Sequence, residues 1–190
     1  MNVAILIFPD AEVLDFAGPF EVLNVANRVA GKELFTVVLI AERKEVVVAR
    51  NGFRVLPEYS IDEEVAIDVL IIPGGPGRVE QMKNKKLLQW VNNTVVKTEW
   101  LMSVCTGAFI LAEAGLLRGL QATTHWGNYD EFENNYPGIE LKRDVRYTEN
   151  HKIWTSGGIS AGIDMMLQFI SKLHGKELAE KTAKRMEFKF

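Results

Sequence analysis

Cys105 is the only cysteine in the chain, and its surroundings set it apart from an ordinary buried thiol. The apolar run Trp100-Leu101-Met102-Ser103-Val104 leads into it, and Thr106 and Gly107 follow before helix-forming sequence begins. That order predicts a strand, a tight turn and a helix, with the thiol at the turn. Such a position lies above the carboxyl edge of a parallel sheet and at a helix amino terminus. There, unpaired backbone N–H groups and the helix dipole favour an anion and hence the thiolate. A lone cysteine usually packs as a small hydrophobe. The turn context argues against that: Gly107, two residues on, lets the first helical turn approach the sheet, the mechanical need also met in a nucleophile elbow. The local pattern is Cys-Thr-Gly and not the full elbow signature.

Three other stretches carry chemistry. Asp15 precedes Gly18-Pro19. Because proline suits a helix's first turn, the helix is expected to begin near Gly18, with Asp15 just before or at its start. A carboxylate there is either a cap or a proton carrier. Gly74-Gly75 ends the apolar run Asp68 to Pro73 and permits a turn after a strand. His125, beside Trp126, closes the short run Ala122-Thr123-Thr124. His151 falls in an expected hairpin turn and His174 near a helix end, where a cation suits the dipole, so neither suggests a metal cluster.

The elements that must position these groups alternate along the chain. Val3 to Phe8, Phe35 to Ile40 and Asp68 to Pro73 are continuous apolar runs, as expected for strands covered on both faces. Helical spacing follows the first run up to Gly31, recurs from about Lys85 to Val96, and runs from Ile159 to Leu173, with Gly175 as the cap. The Cys105 helix is expected to end near Gly115, and a charged surface helix covers Lys176 to Lys184. Asn51-Gly52 between Val46–Ala49 and Phe53–Leu56 predicts a hairpin. Asp144–Thr148 and Lys152–Ser156 are expected strands. The fold class is therefore α/β: a doubly wound, mostly parallel sheet of flavodoxin-like or Rossmann-like type, with helices on both faces and a small peripheral β-hairpin. Ligands in such folds sit outside the carboxyl ends of the strands, which gathers Asp15, Gly74-Gly75, Cys105-Thr106 and His125.

A length of 190 residues suits one domain, and 47% hydrophobic residues supply a sizeable core. Basic and acidic residues number 22 and 25, a net charge of −3 without a basic stripe, so no nucleic-acid partner is expected. Met1 to Phe8 lacks the charged region and cleavage site of a leader, and no run approaches the ~20 residues of a membrane span. With one cysteine no intrachain disulfide is possible, and a cytoplasmic location is expected.

Several segments together carry a resemblance: Asp15-Phe16-Ala17-Gly18-Pro19-Phe20-Glu21, Ile72-Pro73-Gly74-Gly75, Ser103-Val104-Cys105-Thr106-Gly107-Ala108, Ala122-Thr123-Thr124-His125-Trp126, and Ser156-Gly157-Gly158 through Asp164. In this order they resemble the ThiJ/PfpI superfamily, relatives of class I glutamine amidotransferases. Within it they look most like the isocyanide hydratase branch and the sensor domains of AraC-type regulators. The resemblance spans nearly all of residues 1–190, read as one ThiJ/PfpI-like domain. It implies a cysteine nucleophile at Cys105, an acidic partner at Asp15 sited by Gly18 and Pro19, and a catalytic contribution from Thr106. It further implies an oxyanion or substrate pocket of Gly74, Gly75 and Thr106, with His125 near the site. Protease-like members have histidine directly after the cysteine, where this chain has Thr106, so the resemblance does not support a peptidase.

The implied activity is a cysteine-dependent hydratase or hydrolase of a small electrophile, isocyanide plus water giving an N-substituted formamide through a thioimidate on Cys105. No metal or organic cofactor is implied; a homodimer is. Two alternatives stand beside it: a stress protein of deglycase, glyoxalase or redox-sensing type, and a stand-alone small-ligand sensor without catalysis.

Overall fold

The computed structural model describes all 190 residues, Met1–Phe190. The chain opens with β1 (Asn2–Leu6) and α1 (Val13–Ala30), then β2 (Thr36–Ala41), β3 (Val47–Val48), β4 (Arg54–Val55), β5 (Tyr59–Ser60) and β6 (Val69–Ile72). A short α2 (Arg78–Gln81) and α3 (Lys85–Lys97) lead to β7 (Trp100–Ser103) and α4 (Gly107–Glu113). The remainder is β8 (Gln121–Ala122), α5 (Tyr129–Asn135), β9 (Glu140–Leu141), β10 (Tyr147–Asn150), β11 (Ile153–Ser156), α6 (Ala161–His174) and α7 (Lys176–Arg185).

Seven strands form one sheet in the order β10-β11-β7-β6-β1-β2-β5, parallel throughout except for the β10-β11 hairpin. Its centre is apolar because β1 and β6 are covered on both faces: Val3, Ala4, Ile5, Leu6 and Val69 to Ile72 are all buried. From β1 the chain crosses outward through α1 to β2, then returns to place β6 on the other side of β1. That reversal opens a crevice at the carboxyl ends of β1 and β6. The doubly wound α/β class expected from the sequence is the one observed.

Local chemistry explains most boundaries. Asn84 caps α3 by accepting from the Leu87 N–H at 3.1 Å. The β3-β4 hairpin turns at Asn51 and Gly52, with φ of 57° and 80°. Three expectations differ from what is found. Helix α1 begins at Val13, so Asp15 lies inside its first turn and Pro19 lies in the helix interior. Burial of the helix among Phe16, Val22 and Leu23 outweighs the proline's start preference. The stretch before His125 is a two-residue strand paired with β9, apart from the seven-stranded sheet. Ile159, counted with α6 on spacing, precedes that helix with φ of 54°.

Candidate active site

Cys105 stands at the end of β7 with φ of 57°, in the left-handed region that a residue with a Cβ enters at a cost. The bend is held from both sides. Its N–H donates to the Ser156 and Gly157 carbonyls at 3.1 and 3.0 Å, and its carbonyl accepts from the Thr124 hydroxyl at 2.9 Å. The following turn packs directly on the sheet: a Cβ on Gly107 would lie 2.3 Å from the Ile72 carbonyl oxygen. The strand, turn and helix expected around the thiol are all present, although α4 is only seven residues long.

Asp15 is fully buried and faces the same point from α1. Its Oδ2 accepts from the Gly74 N–H at 3.0 Å and its Oδ1 from the Ile159 N–H at 3.2 Å. Three elements distant in sequence, α1, the β6 exit and the loop before α6, thus meet on one carboxyl group. Gly18 serves that approach, being buried where α1 meets Ile163 of α6. Pro19, four residues after Asp15, has no N–H to donate to the Asp15 carbonyl.

Burial pushes the Asp15 carboxyl from 3.8 up to about 7, against the lowering effect of the Gly74 N–H and the Cys105 thiol. The thiol itself is pushed from 9.0 up to about 12, by burial first and by the Asp15 charge second. The Thr106 and Ile159 N–H groups, donated toward the sulfur, oppose this without reversing it. The helix-terminus argument predicts easy ionisation of the resting thiol. In this buried setting, desolvation and the neighbouring carboxylate win, so the resting pair keeps its proton on sulfur.

Of the residues expected to form the pocket, Gly75 and Thr106 line the cavity and Gly74 does not, and the N–H groups of both glycines are taken by other partners. Gly75 has φ of 112°, and a Cβ there would sit 2.5 Å from the Asp10 carbonyl oxygen, so the backbone closes on itself at this point. Its N–H, expected to point at an oxyanion, donates to Thr106 Oγ1 at 2.9 Å. The Gly74 N–H is likewise taken by Asp15. Of the expected donors, the Thr106 N–H is the one directed at the sulfur. A cavity of about 370 Å³ opens over Cys105, Thr106 and Gly75, with His125 and Ile159 in its wall. His125 Nδ1 accepts from the Gly127 N–H at 3.2 Å.

Sequence reasoning missed two residues. Ile159 supplies an N–H to both Asp15 and Cys105, and a β-branched residue at positive φ carries no sequence signal. Arg78 also lines the cavity although its side chain is only 7% exposed. It follows Gly74-Gly75-Pro76-Gly77, and that loop was where a signal lay. His151, at φ of 46°, makes the β10-β11 turn as expected. His174 packs edge-on against Phe35, and burial moves it below its usual value, which outweighs the helix-end preference for a cation.

A family model described as "DJ-1/PfpI family" matches residues 1–172. The chain belongs to the DJ-1/PfpI family. It is 30% identical to an isonitrile hydratase of Pseudomonas putida over 99% of its own length and 78% of the relative's. It is 31% identical to the HTH-type transcriptional regulator CdhR of Pseudomonas aeruginosa over 92% of its length, and there it spans about half of the regulator, 51%. Among solved structures, a ThiJ/PfpI family protein from Pseudomonas syringae superposes with a TM-score of 0.88 at 24% identity, covering 100% of this chain and 75% of that one. Drosophila melanogaster DJ-1beta superposes at 0.85 and 20%, covering 100% and 98%. These likenesses establish the ThiJ/PfpI fold and kinship to both hydratase and regulator. No helix is long and apolar enough to cross a membrane.

Proposed function

We propose that this chain is a cysteine-dependent hydratase of small electrophiles, acting on an isocyanide through Cys105 and Asp15. The observation that carries this reading is the buried pair itself: a thiol at a strained elbow beside a carboxyl whose pKa, about 7, lets it both take and return a proton near neutrality. The similarity to isonitrile hydratase supports the substrate class.

The thiol proton passes to the Asp15 carboxylate, and the sulfur attacks the terminal isocyanide carbon, forming the S–C bond. That carbon takes the proton back from Asp15, giving a thioimidate. Water then adds its oxygen to the same carbon, giving one of its protons to Asp15 and the other to the nitrogen. The C–S bond breaks, the sulfur takes the proton held by Asp15, and an N-substituted formamide leaves. The Thr106 and Ile159 N–H groups steady the sulfur while it is anionic, offsetting part of its high resting pKa. No cofactor enters.

The test is formamide production from alkyl and aryl isocyanides by the parent, Cys105→Ala and Asp15→Asn, with methylglyoxal as control substrate. Turnover abolished in the first variant and cut at least about a hundredfold in the second is expected. Turnover retained by Cys105→Ala would refute the mechanism. Saturable binding of a small ligand with no turnover of either substrate would favour the sensor reading, which the likeness to regulators over 92% of the chain supports.

The same reading includes a homodimer. Leu14 on α1 and Val48, Phe53 and Leu56 in and beside the β3-β4 hairpin are exposed by 37 to 61%, and the Phe16 and Phe53 rings, 6.4 Å apart, join the two elements into one apolar face. Sedimentation should give a dimer that Phe53→Glu converts to monomer; a monomeric parent would reject it.

A further inference from the structure

Arg78 is the one cation in the wall of the reactive cavity, and the proposed chemistry leaves it without a task. Charged side chains are seldom this buried unless paired, and its pairing here is lopsided. Nη2 donates to Glu131 Oε2 at 2.5 Å, and Asn128 donates to that same oxygen at 2.9 Å. The guanidinium carbon lies 4.1 Å from the centre of the Phe109 ring. No protein acceptor takes Nε or Nη1, so part of the planar fork is unused.

The loop fixes the backbone from which this fork extends. The Gly77 N–H donates to the Asp10 carbonyl at 3.4 Å, and the Arg78 N–H donates to the Gly75 carbonyl at 3.1 Å, the same residue whose N–H is held by Thr106. Arg78 is thereby tied through two short backbone steps to the turn that carries the thiol. Stacking on Phe109 sets the plane of the guanidinium, since arginine is pre-organised where its fork lies on an aromatic face.

The charges of the pair are unequally screened. Arg78 is a lining residue of the cavity with a side chain only 7% exposed, whereas the side chain of its partner Glu131 is 44% exposed. The partner's charge is damped by solvent and the guanidinium's much less, which leaves the Arg78 side of the cavity favourable to an anion. Glu12, also in the cavity wall, and Asp15 behind it work against one. An anion would therefore be selected by position, at the fork.

We propose that Arg78 is a specificity-determining residue that receives a planar carboxylate on the ligand, so that this site prefers small electrophiles bearing a carboxylate a few bonds from the reacting carbon. The inference deepens the reading of Cys105 as a nucleophile by naming its substrate class, and it is tested without isocyanides. A cavity of about 370 Å³ has room for such a molecule between Arg78 and the sulfur.

Iodoacetate and iodoacetamide are the probes, matched in size and differing in a carboxylate against a neutral amide. Each alkylates the Cys105 sulfur, forming S–C with loss of iodide. Measured at one pH, the ratio of their rates cancels the thiolate fraction and with it the unusually weak acidity of the thiol. The iodoacetate to iodoacetamide ratio in the parent should exceed that of N-acetylcysteine at least about tenfold, fall to the free-thiol value in Arg78→Met, and rise further in Glu131→Gln, where more of the fork is released. Arg78→Lys, keeping the charge and losing the fork, should retain only part of the excess.

A parent ratio equal to that of N-acetylcysteine, or an excess surviving in Arg78→Met, overturns the proposal. If Arg78→Met does not fold, the parent and Glu131→Gln ratios decide alone: no excess, or no rise, rejects it. Absence of formamide with the ratio intact would reject the hydratase reading and leave Arg78 in its role. Formamide turnover without a ratio effect would do the reverse.

Discussion

Replacing Asp15 by asparagine should change how stability depends on pH, and the structure gives both sign and size. The carboxyl is pushed from 3.8 to about 7 by burial, so the folded state holds the proton more tightly than the unfolded chain. A carboxyl shifted upward contributes stability that is complete below 3.8 and is lost as pH rises through about 7. Over that whole window the loss is about 4 kcal/mol, at about 1.4 kcal/mol per pH unit, and between about pH 5 and pH 8 it is roughly 2 to 3 kcal/mol. Asp15 has no exposed surface, so solvent does little to reduce the figure. The Cys105 thiol, shifted from 9.0 to about 12, titrates above the window and leaves the sign unchanged. Asparagine removes the charge and keeps the shape. One of the two N–H donors, from Gly74 or Ile159, then meets an amide NH2, a cost of about 1 to 3 kcal/mol that does not vary with pH. Urea unfolding of parent and Asp15→Asn at several pH values isolates the effect as a difference of slopes. The parent should lose roughly 2 to 3 kcal/mol more than the variant between about pH 5 and pH 8. Parallel curves would show that Asp15 does not hold its proton as the site geometry requires.

Two further outcomes follow from single contacts. Thr106→Val keeps the side-chain shape and strands the Gly75 N–H, whose acceptor is Thr106 Oγ1 at 2.9 Å, so urea unfolding should show a loss of about 1 to 3 kcal/mol. At Ile159, with φ of 54°, the usual order of small residues should invert: Ile159→Gly should be more stable than Ile159→Ala by about 1 kcal/mol, because only alanine keeps the left-handed strain. Equal stabilities would place that strain elsewhere.

The sheet was legible because β1, β2 and β6 are continuous apolar runs and the intervening helices carry clear spacing. The thiol turn was legible for a related reason: a cysteine followed by Thr106-Gly107 at the end of such a run has few places to be in a doubly wound fold. What could not be read was the charge state. Whether the helix terminus wins at Cys105 depends first on how deeply the thiol is buried and then on the Asp15 carboxylate, which α1 carries in its first turn because it starts at Val13, before its proline. Ile159 and Arg78 were hidden for different reasons. One acts through its backbone N–H, which every non-proline residue possesses. The other looks in sequence like a loop arginine, and only the stacking on Phe109 and the pairing with Glu131 draw it into the cavity wall.

Gly75 and Gly107 meet fixed backbone at 2.5 and 2.3 Å wherever a Cβ is added, so the turn bearing the thiol and the loop beside it fit by main chain against main chain. Divergence in this protein is thereby partitioned. The backbone fit around the thiol is closed to nearly all single substitutions at those two positions, while Val79, Asn128 and His125 border the cavity outside that fit. A library built to retarget the pocket belongs on that second set. The thiol turn stays in register there while the shape and polarity of the cavity wall are free to drift.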